Sequence, residues 1–123
     1  MVLLIFVLLI NLDAYADRVK TLRVCENSVA EVAVSPQGTV FDFPQEPEKV
    51  ILGTKGSFHI EYVKSDLAIS PTTNQSRSNL FVYLLGRRFT FELKSVSNAQ
   101  TLYFIRDCTD QESMKKTNGR AKQ

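Results

Sequence analysis

Short runs of β-forming residues recur along the chain, and turn-forming residues separate them. Val, Ile, Phe, Tyr and Thr are prominent in the runs, whereas Pro, Gly, Ser and Asp stand between them. The runs cover residues 21–25, 29–34, 39–43, 49–52, 58–63, 67–70, 80–85, 88–93 and 101–106. Strand-length runs at this spacing are typical of a β-sandwich or barrel. The sequence therefore predicts an all-β fold, a single small β-sandwich of about eight or nine short strands.

The first 16 residues have the pattern of a cleaved signal peptide. An uninterrupted apolar run extends from Val2 to Ile10, and the small-x-small sequence Ala14-Tyr15-Ala16 follows it. A membrane-spanning helix needs about 20 apolar residues, so this run is too short to span a bilayer. No Lys or Arg precedes the run, and the alternatives are an uncleaved anchor or a misassigned start codon. We expect cleavage after Ala16 and an exported protein, located in the periplasm or associated with the outer membrane.

The remaining chain has the size of one domain. Removal of residues 1–16 leaves 107 of the 123 residues, enough for one core. We expect the β-sandwich domain at 17–108 and a polar, basic tail at 109–123. The formal net charge rises only from +2 to +3 when Asp13 is removed with the signal. A charge this small and this scattered argues against a nucleic-acid partner.

The two cysteines, Cys25 and Cys108, fall near the first and last predicted strands. In an exported protein the first hypothesis is one disulfide that ties the ends of the fold together. Two free thiols or an intermolecular pair are the alternatives. On the chain-entropy model a loop of this length would stabilise the fold by about 4 kcal/mol. Two cysteines and one distant histidine do not make a zinc site, so we predict neither a metal nor any other cofactor.

The two runs at 80–85 and 88–93 form the clearest hairpin in the sequence. In the second run, Phe89, Phe91 and Leu93 alternate with polar residues, which predicts one buried face and one solvated face. In the first run both faces are apolar, so the strand is expected to be central, or covered on its second face by a partner. Left in water, that second face would be an adhesive patch.

The hairpin is also the candidate interaction surface. The two arginines at its corner could pair with acidic groups of a partner, and a solvated turn is the alternative. The residues predicted to form this surface are Phe81, Tyr83, Leu85, Arg87 and Arg88.

Residues able to carry out chemistry are sparse in the rest of the chain. The only histidine, His59, lies in an alternating strand on the face predicted to be solvated. Without a second histidine or a nearby cysteine, a nucleophile and its base have no obvious candidates. Asp42 and Glu92 could be imagined as a carboxylate pair, but both lie on predicted wet faces. We therefore predict no catalytic residue and a protein that is not an enzyme.

Five short motifs follow one another along the chain, each ending or beginning at a turn. They are Phe41-Asp42-Phe43-Pro44, Val50-Ile51-Leu52-Gly53, Leu67-Ala68-Ile69-Ser70-Pro71, Ser78-Asn79-Leu80-Phe81-Val82 and Arg88-Phe89-Thr90-Phe91-Glu92-Leu93. Their order and spacing resemble the amino-terminal β-sandwich domain of TrbG/TraK-like outer-membrane core subunits of type IV secretion and conjugation systems. The match covers roughly Leu22 to Arg106. The chain departs from the family pattern in having no tryptophan, a cysteine pair, and no sequence for the second domain that usually follows.

The resemblance implies a non-enzymatic, exported cell-envelope assembly protein that works by protein-protein contacts. Its partners would be other envelope or secretion-complex proteins, or copies of itself, and association with the outer membrane would run through those partners. Two alternatives stay open. One is a periplasmic module that binds peptidoglycan glycans in an exposed groove presenting Tyr62, Tyr83 or Tyr103 together. The other is a secreted, disulfide-closed inhibitor or effector with one soluble target.

Overall fold

The computed structural model describes residues 19–109, and within them nine strands form two sheets. The strands are β1 Val19–Val24, β2 Val29–Val34, β3 Thr39–Asp42, β4 Lys49–Leu52, β5 Phe58–Val63, β6 Asp66–Pro71, β7 Arg77–Leu84, β8 Arg87–Ser95 and β9 Leu102–Asp107. Each predicted run overlaps one of these strands, with ends that differ by up to three residues, so the prediction of an all-β sandwich is confirmed. The predicted signal peptide and nearly all of the predicted tail lie outside the described residues. Among residues 19–109 no helix has the length and hydropathy that crossing a membrane requires.

The two sheets are built from interleaved parts of the chain. The five-stranded sheet has the order β1-β9-β3-β6-β5, and the four-stranded sheet has the order β2-β8-β7-β4. Only the β5–β6 and β7–β8 connections stay within one sheet, and every other connection between described strands crosses to the opposite sheet. The pairs β1–β9, β3–β9 and β2–β8 are parallel, which requires such crossovers.

Aromatic rings join the sheets in the core. Phe41 of β3 and Phe91 of β8 are fully buried, and their ring centroids lie 5.5 Å apart in a tilted arrangement. Tyr103 of β9 packs edge-on against Phe41 at 5.7 Å, and Phe43 packs edge-on against Phe91 at 6.2 Å. Such ring pairs contribute about 0.5–1.5 kcal/mol each beyond the area that they bury. The buried face predicted for 88–93 is confirmed.

The β7–β8 hairpin turns more tightly than the sequence pattern predicts. Leu84 pairs with Arg87, so Leu85 and Gly86 form a two-residue loop, with φ of 53° and 73°. Positive φ at both positions is the mark of a type I′ turn, which suits the twist of a hairpin. Leu85 was expected to continue the face of Phe81 and Tyr83. That expectation is wrong, because the strand ends at Leu84 and the Leu85 side chain is 65% exposed in the turn.

A disulfide closes one end of the sandwich. Cys25 and Cys108 are bonded to each other, with their Cα atoms 5.3 Å apart across a sequence separation of 83 residues. Each follows directly after a strand, Cys25 after β1 and Cys108 after β9, and these two strands are neighbours in the five-stranded sheet. The predicted bridge is present, and it ties the first described strand to the last.

Substitution of Phe91 by Ala tests the position of the core. The ring has no exposed surface and contacts aromatic rings of the opposite sheet, so its removal should cost about 3–5 kcal/mol of unfolding free energy. Urea denaturation measures this loss. Thr90→Ala, the neighbouring change on the outward face, should alter stability by less than about 0.5 kcal/mol. A near-neutral Phe91→Ala variant would contradict the assignment of this face to the core.

Replacement of Leu85 by Asn tests the turn. A residue other than glycine costs about 1–2 kcal/mol in the left-handed region, and Asn tolerates it better than Leu. Leu85→Asn should therefore raise the unfolding free energy by about 1 kcal/mol, measured by urea or thermal denaturation. The matched change at the buried neighbour, Leu84→Asn, should destabilise the fold strongly. Destabilisation by Leu85→Asn would rule out the type I′ geometry.

Candidate interaction surface

Two aromatic side chains stand on the outward face of the four-stranded sheet. Phe81 and Tyr83 belong to β7, which lies between β8 and β4, so the expectation of a central strand is confirmed. Alternation along β7 directs Leu80, Val82 and Leu84 into the core and the two aromatic residues outward. Both rings are half-buried by neighbours within their own sheet. Among the described strands none packs over this face.

Strand register arranges the neighbours of these two rings in rows. In one row Phe81 lies between Thr90 of β8 and Ile51 of β4, and Val29 of β2 follows beyond Thr90. The edge members of this row expose much of their apolar surface, 58% for Val29 and 39% for Ile51. The adjacent row places Tyr83 between two cations. We call these seven residues the β7 face: Val29, Thr90, Phe81, Ile51, Arg88, Tyr83 and Lys49.

The charges on the β7 face have no acidic partner among the described residues. Arg88 and Lys49 sit directly opposite Tyr83 on the two neighbouring strands, and both are exposed. Within residues 19–109 neither forms a salt bridge. On the far side of the apolar row Glu92 is already paired with Arg77, at 3.3 Å between Oε1 and Nη2. The face thus combines an aromatic centre with two cations free to meet acidic groups.

Arg87, the other arginine of the hairpin, is used within the fold. Its Nε donates to Glu26 Oε2 at 3.1 Å, and its Nη1 donates to Asp107 Oδ2. Its guanidinium carbon lies 5.0 Å from the centroid of the Phe89 ring. Alternation along β8 places Arg87 on the inward side and Arg88 on the outward side. Of the five residues predicted for the surface, the structure brings together Phe81, Tyr83 and Arg88, whereas Arg87 and Leu85 lie elsewhere.

The ion pairs of Arg87 shift the ionisation of the groups involved. Hydrogen bonds to Asp107 and Glu26 raise the pKa of Arg87 above its ordinary value. Desolvation acts to raise the pKa of Asp107, but hydrogen bonds from Arg87 and Thr109, together with the charge of Arg87, outweigh it and lower that pKa. This cluster connects the turn after β1, the start of β8 and the end of β9, immediately beside the disulfide. These ion pairs therefore stabilise the end of the sandwich that the disulfide closes.

An open cavity of about 330 Å³ lies at the same end, between the two sheets. Val24, Leu84, Phe89 and Ile105 supply apolar lining. The charged groups at its rim include Arg87 and Asp107, which are already paired with each other. The sequence does not predict this cavity, because its lining residues come from strands that are distant in sequence and are brought together only by the packing of the two sheets.

The residues considered for chemistry are far apart or already engaged. Exposed His59 lies 3.2 Å from exposed Glu61, on an edge strand. Asp42 and Glu92 stand on the outward faces of opposite sheets. Both cysteines are in the disulfide. In the part of the chain that the structure describes, no group of three or more His, Cys, Asp or Glu side chains could hold a metal ion.

The three tyrosines that a glycan-binding groove would require do not meet. Tyr103 is 7% exposed in the core, and its hydroxyl donates to the Ala33 carbonyl oxygen at 3.3 Å. Burial accordingly raises the pKa of Tyr103. Tyr62 lies on edge strand β5 of the five-stranded sheet, and Tyr83 lies on the opposite sheet. The arrangement that would favour the glycan-binding alternative is therefore missing from the described residues.

The paired Asp107 predicts a pH-dependent contribution to stability. Because its pKa is lowered in the folded state, its stabilisation is complete above its unfolded pKa, about 4, and disappears as the pH falls through the folded pKa. Asp107→Asn should cost about 1–3 kcal/mol of unfolding free energy at neutral pH, and the difference from the wild type should shrink at about pH 2. Urea denaturation at both pH values measures it. A difference that stays constant across this range would contradict the ionised pair.

Comparison with family models and with curated proteins returned no relative. No family model matches the chain, and no curated protein matches its sequence. The resemblance of the motif order to secretion-core subunits therefore stays a hypothesis.

Proposed function

We propose that this protein is a non-enzymatic, exported cell-envelope assembly protein that acts through protein-protein contacts of its β7 face. The observation that carries the proposal is the position of Phe81 and Tyr83. They stand on the outward face of a central strand, where the described chain does not cover them, and two unpaired cations flank Tyr83. Each ring is only half-buried by its own chain, so a partner could bury the rest of its apolar surface.

The composition of the face supports contact with another protein. Aromatic residues and arginine are enriched at the centres of interfaces, where they carry most of the binding energy. Here two aromatic residues and Arg88 stand together, and apolar Ile51 adjoins them at the edge strand. Complementary acidic groups on the partner would pair with Arg88 and Lys49 and orient the approach. A partner with an apolar patch bordered by carboxylates fits this face.

The family resemblance supports a place in a secretion or conjugation complex. Two of the five motifs that carry it, at 78–82 and 88–93, lie on β7 and β8, which form the centre of the four-stranded sheet. The resemblance also implies a β-sandwich, which agrees with the observed fold. Partners would then be other envelope subunits, and association with the outer membrane would run through them.

Two further observations support export. The apolar run followed by Ala14-Tyr15-Ala16 has the pattern of a cleaved signal peptide. The disulfide between Cys25 and Cys108 is of a kind that persists in oxidising compartments such as the periplasm.

A pull-down with surface variants tests the proposal. The full chain with a C-terminal tag is produced in its host, envelopes are gently solubilised, and bound proteins are identified by mass spectrometry. We expect recovery of secretion-channel or outer-membrane subunits. Phe81→Ser should reduce that recovery by at least about tenfold, because loss of a central aromatic anchor costs about 2 kcal/mol or more.

Phe104→Ser is the matched control. Phe104 is another half-buried phenylalanine, on the outward face of the five-stranded sheet, so its loss should leave recovery unchanged. Thermal denaturation of each variant establishes that it folds. Equal recovery by the wild type and Phe81→Ser, or no envelope subunit with either, would contradict the proposal.

A further inference from the structure

Strand β5 forms an edge of the five-stranded sheet. It pairs with β6 along its whole length, from Phe58 opposite Pro71 to Val63 opposite Asp66. Among the described strands none lies on its other side. Phe58 is buried and Ile60 is half-buried, whereas the other four side chains are exposed, with 62% of Tyr62 accessible. The strand contains no proline, and edges of this kind can accept a further strand.

The pairing with β6 decides which main-chain groups of β5 are free. Pro71 has no N–H, and the Thr72 N–H donates to the Ser57 carbonyl oxygen at 3.0 Å. Phe58 and Pro71 therefore form a non-hydrogen-bonded pair, and the bonded and non-bonded pairs alternate from there. It follows that Phe58, Ile60 and Tyr62 direct their N–H and C=O groups away from β6, toward the open edge.

We propose that β5 pairs with β5 of a second copy of this chain, antiparallel, about a two-fold axis through Ile60. In this register Ile60 faces the partner's Ile60 as a hydrogen-bonded pair. Phe58 faces the partner's Tyr62, so an aromatic pair forms twice. His59 faces the partner's Glu61, also twice. The two five-stranded sheets become one continuous sheet of ten strands.

The side chains of β5 are complementary to those of a second β5, which favours a second copy of this chain as the binding partner. His59 and Glu61 lie at equal distances on either side of Ile60, so the two-fold axis places a basic group opposite an acidic group on both sides. A histidine and a carboxylate directly across an antiparallel pair can hydrogen-bond, and aromatic residues in that position pack together, so both pairs are favourable. Each such pair contributes about 0.2–1 kcal/mol.

The other three edge strands lack this symmetry. Strand β1 carries only basic charges, Lys20 and Arg23, so a second copy would repel it. Strand β2 has Glu31 as its single charge, which would meet its own copy in the symmetric register. Strand β4 is only four residues long and carries Lys49. Of the four edges in the described sheets, β5 is the one suited to isologous pairing.

The dimer is independent of the function proposed above, because it uses the edge of the five-stranded sheet and leaves the β7 face open in both copies. A dimer would display that face twice. Two linked contacts to an assembly with repeated subunits bind more tightly than one, without any new contact.

A charge swap on β5 tests the dimer. Sedimentation equilibrium of the protein purified from its full-chain gene, up to about 1 mM, should show a reversible monomer-dimer equilibrium. His59→Glu places two carboxylates opposite each other at both symmetric positions and should weaken the dimer by about tenfold or more. The double variant His59→Glu/Glu61→His restores an opposite pairing, and it should return the dissociation constant to near its wild-type value.

Both positions are exposed, so the variants are expected to fold, and their melting temperatures check this. Lys64→Glu, just beyond the strand, is the control and should leave the dimer within about threefold of the wild type. A wild-type protein that stays monomeric at the highest concentration would overturn the proposal. So would a His59→Glu variant that dimerises normally, or a swap that fails to restore association. None of these outcomes affects the pull-down by the β7 face.

Discussion

The contact between Phe41 and Phe91 holds the two sheets of this protein together. The rings come from internal strands of opposite sheets, β3 and β8, and both are fully buried. Phe43 and Tyr103 enclose them from the sides. In each alternating strand one set of side chains packs into this core. The side chains between them therefore point outward. What the protein can present to other molecules is decided by that division.

The division explains why two adjacent arginines have different roles. Arg87 falls on the inward side of β8, at the end of the sandwich, where Asp107 and Glu26 neutralise it next to the disulfide. Arg88 falls on the outward side beside Tyr83 and has no carboxylate partner in the described residues. One arginine stabilises the closed end of the domain, and the other is available for recognition. A similar contrast separates buried Leu84 from exposed Leu85.

Runs of β-forming residues between turn residues are sufficient to predict the strands. Local alternation adds the faces, because a half-buried strand repeats apolar residues at every second position. It also predicted which face of β8 is buried. It failed at Leu85, an apolar residue in a turn, since only the backbone angle reveals that the strand has ended. The different roles of Arg87 and Arg88 could not be predicted either, because the first residue of β8 was not known. A shift of one residue exchanges the two faces of a strand.

Contacts between residues distant in the chain could not be predicted from the sequence. The pairing of Arg87 with Glu26 spans 61 residues, and the insertion of β9 between β1 and β3 brings together parts of the chain that share no local pattern. Cys25 and Cys108 were the exception, because only two cysteines were available to pair.

Binding of the β7 face to another envelope protein, as proposed, would cover that face in the assembled cell envelope. Hydroxyl-radical footprinting with mass spectrometry, on the purified protein and on intact envelopes, measures this directly. A covered β7 face means that Phe81 and Tyr83 are oxidised more slowly in the envelope, while Phe104 on the opposite sheet is oxidised equally in both samples. Equal oxidation of Phe81 and Tyr83 in both samples would contradict it.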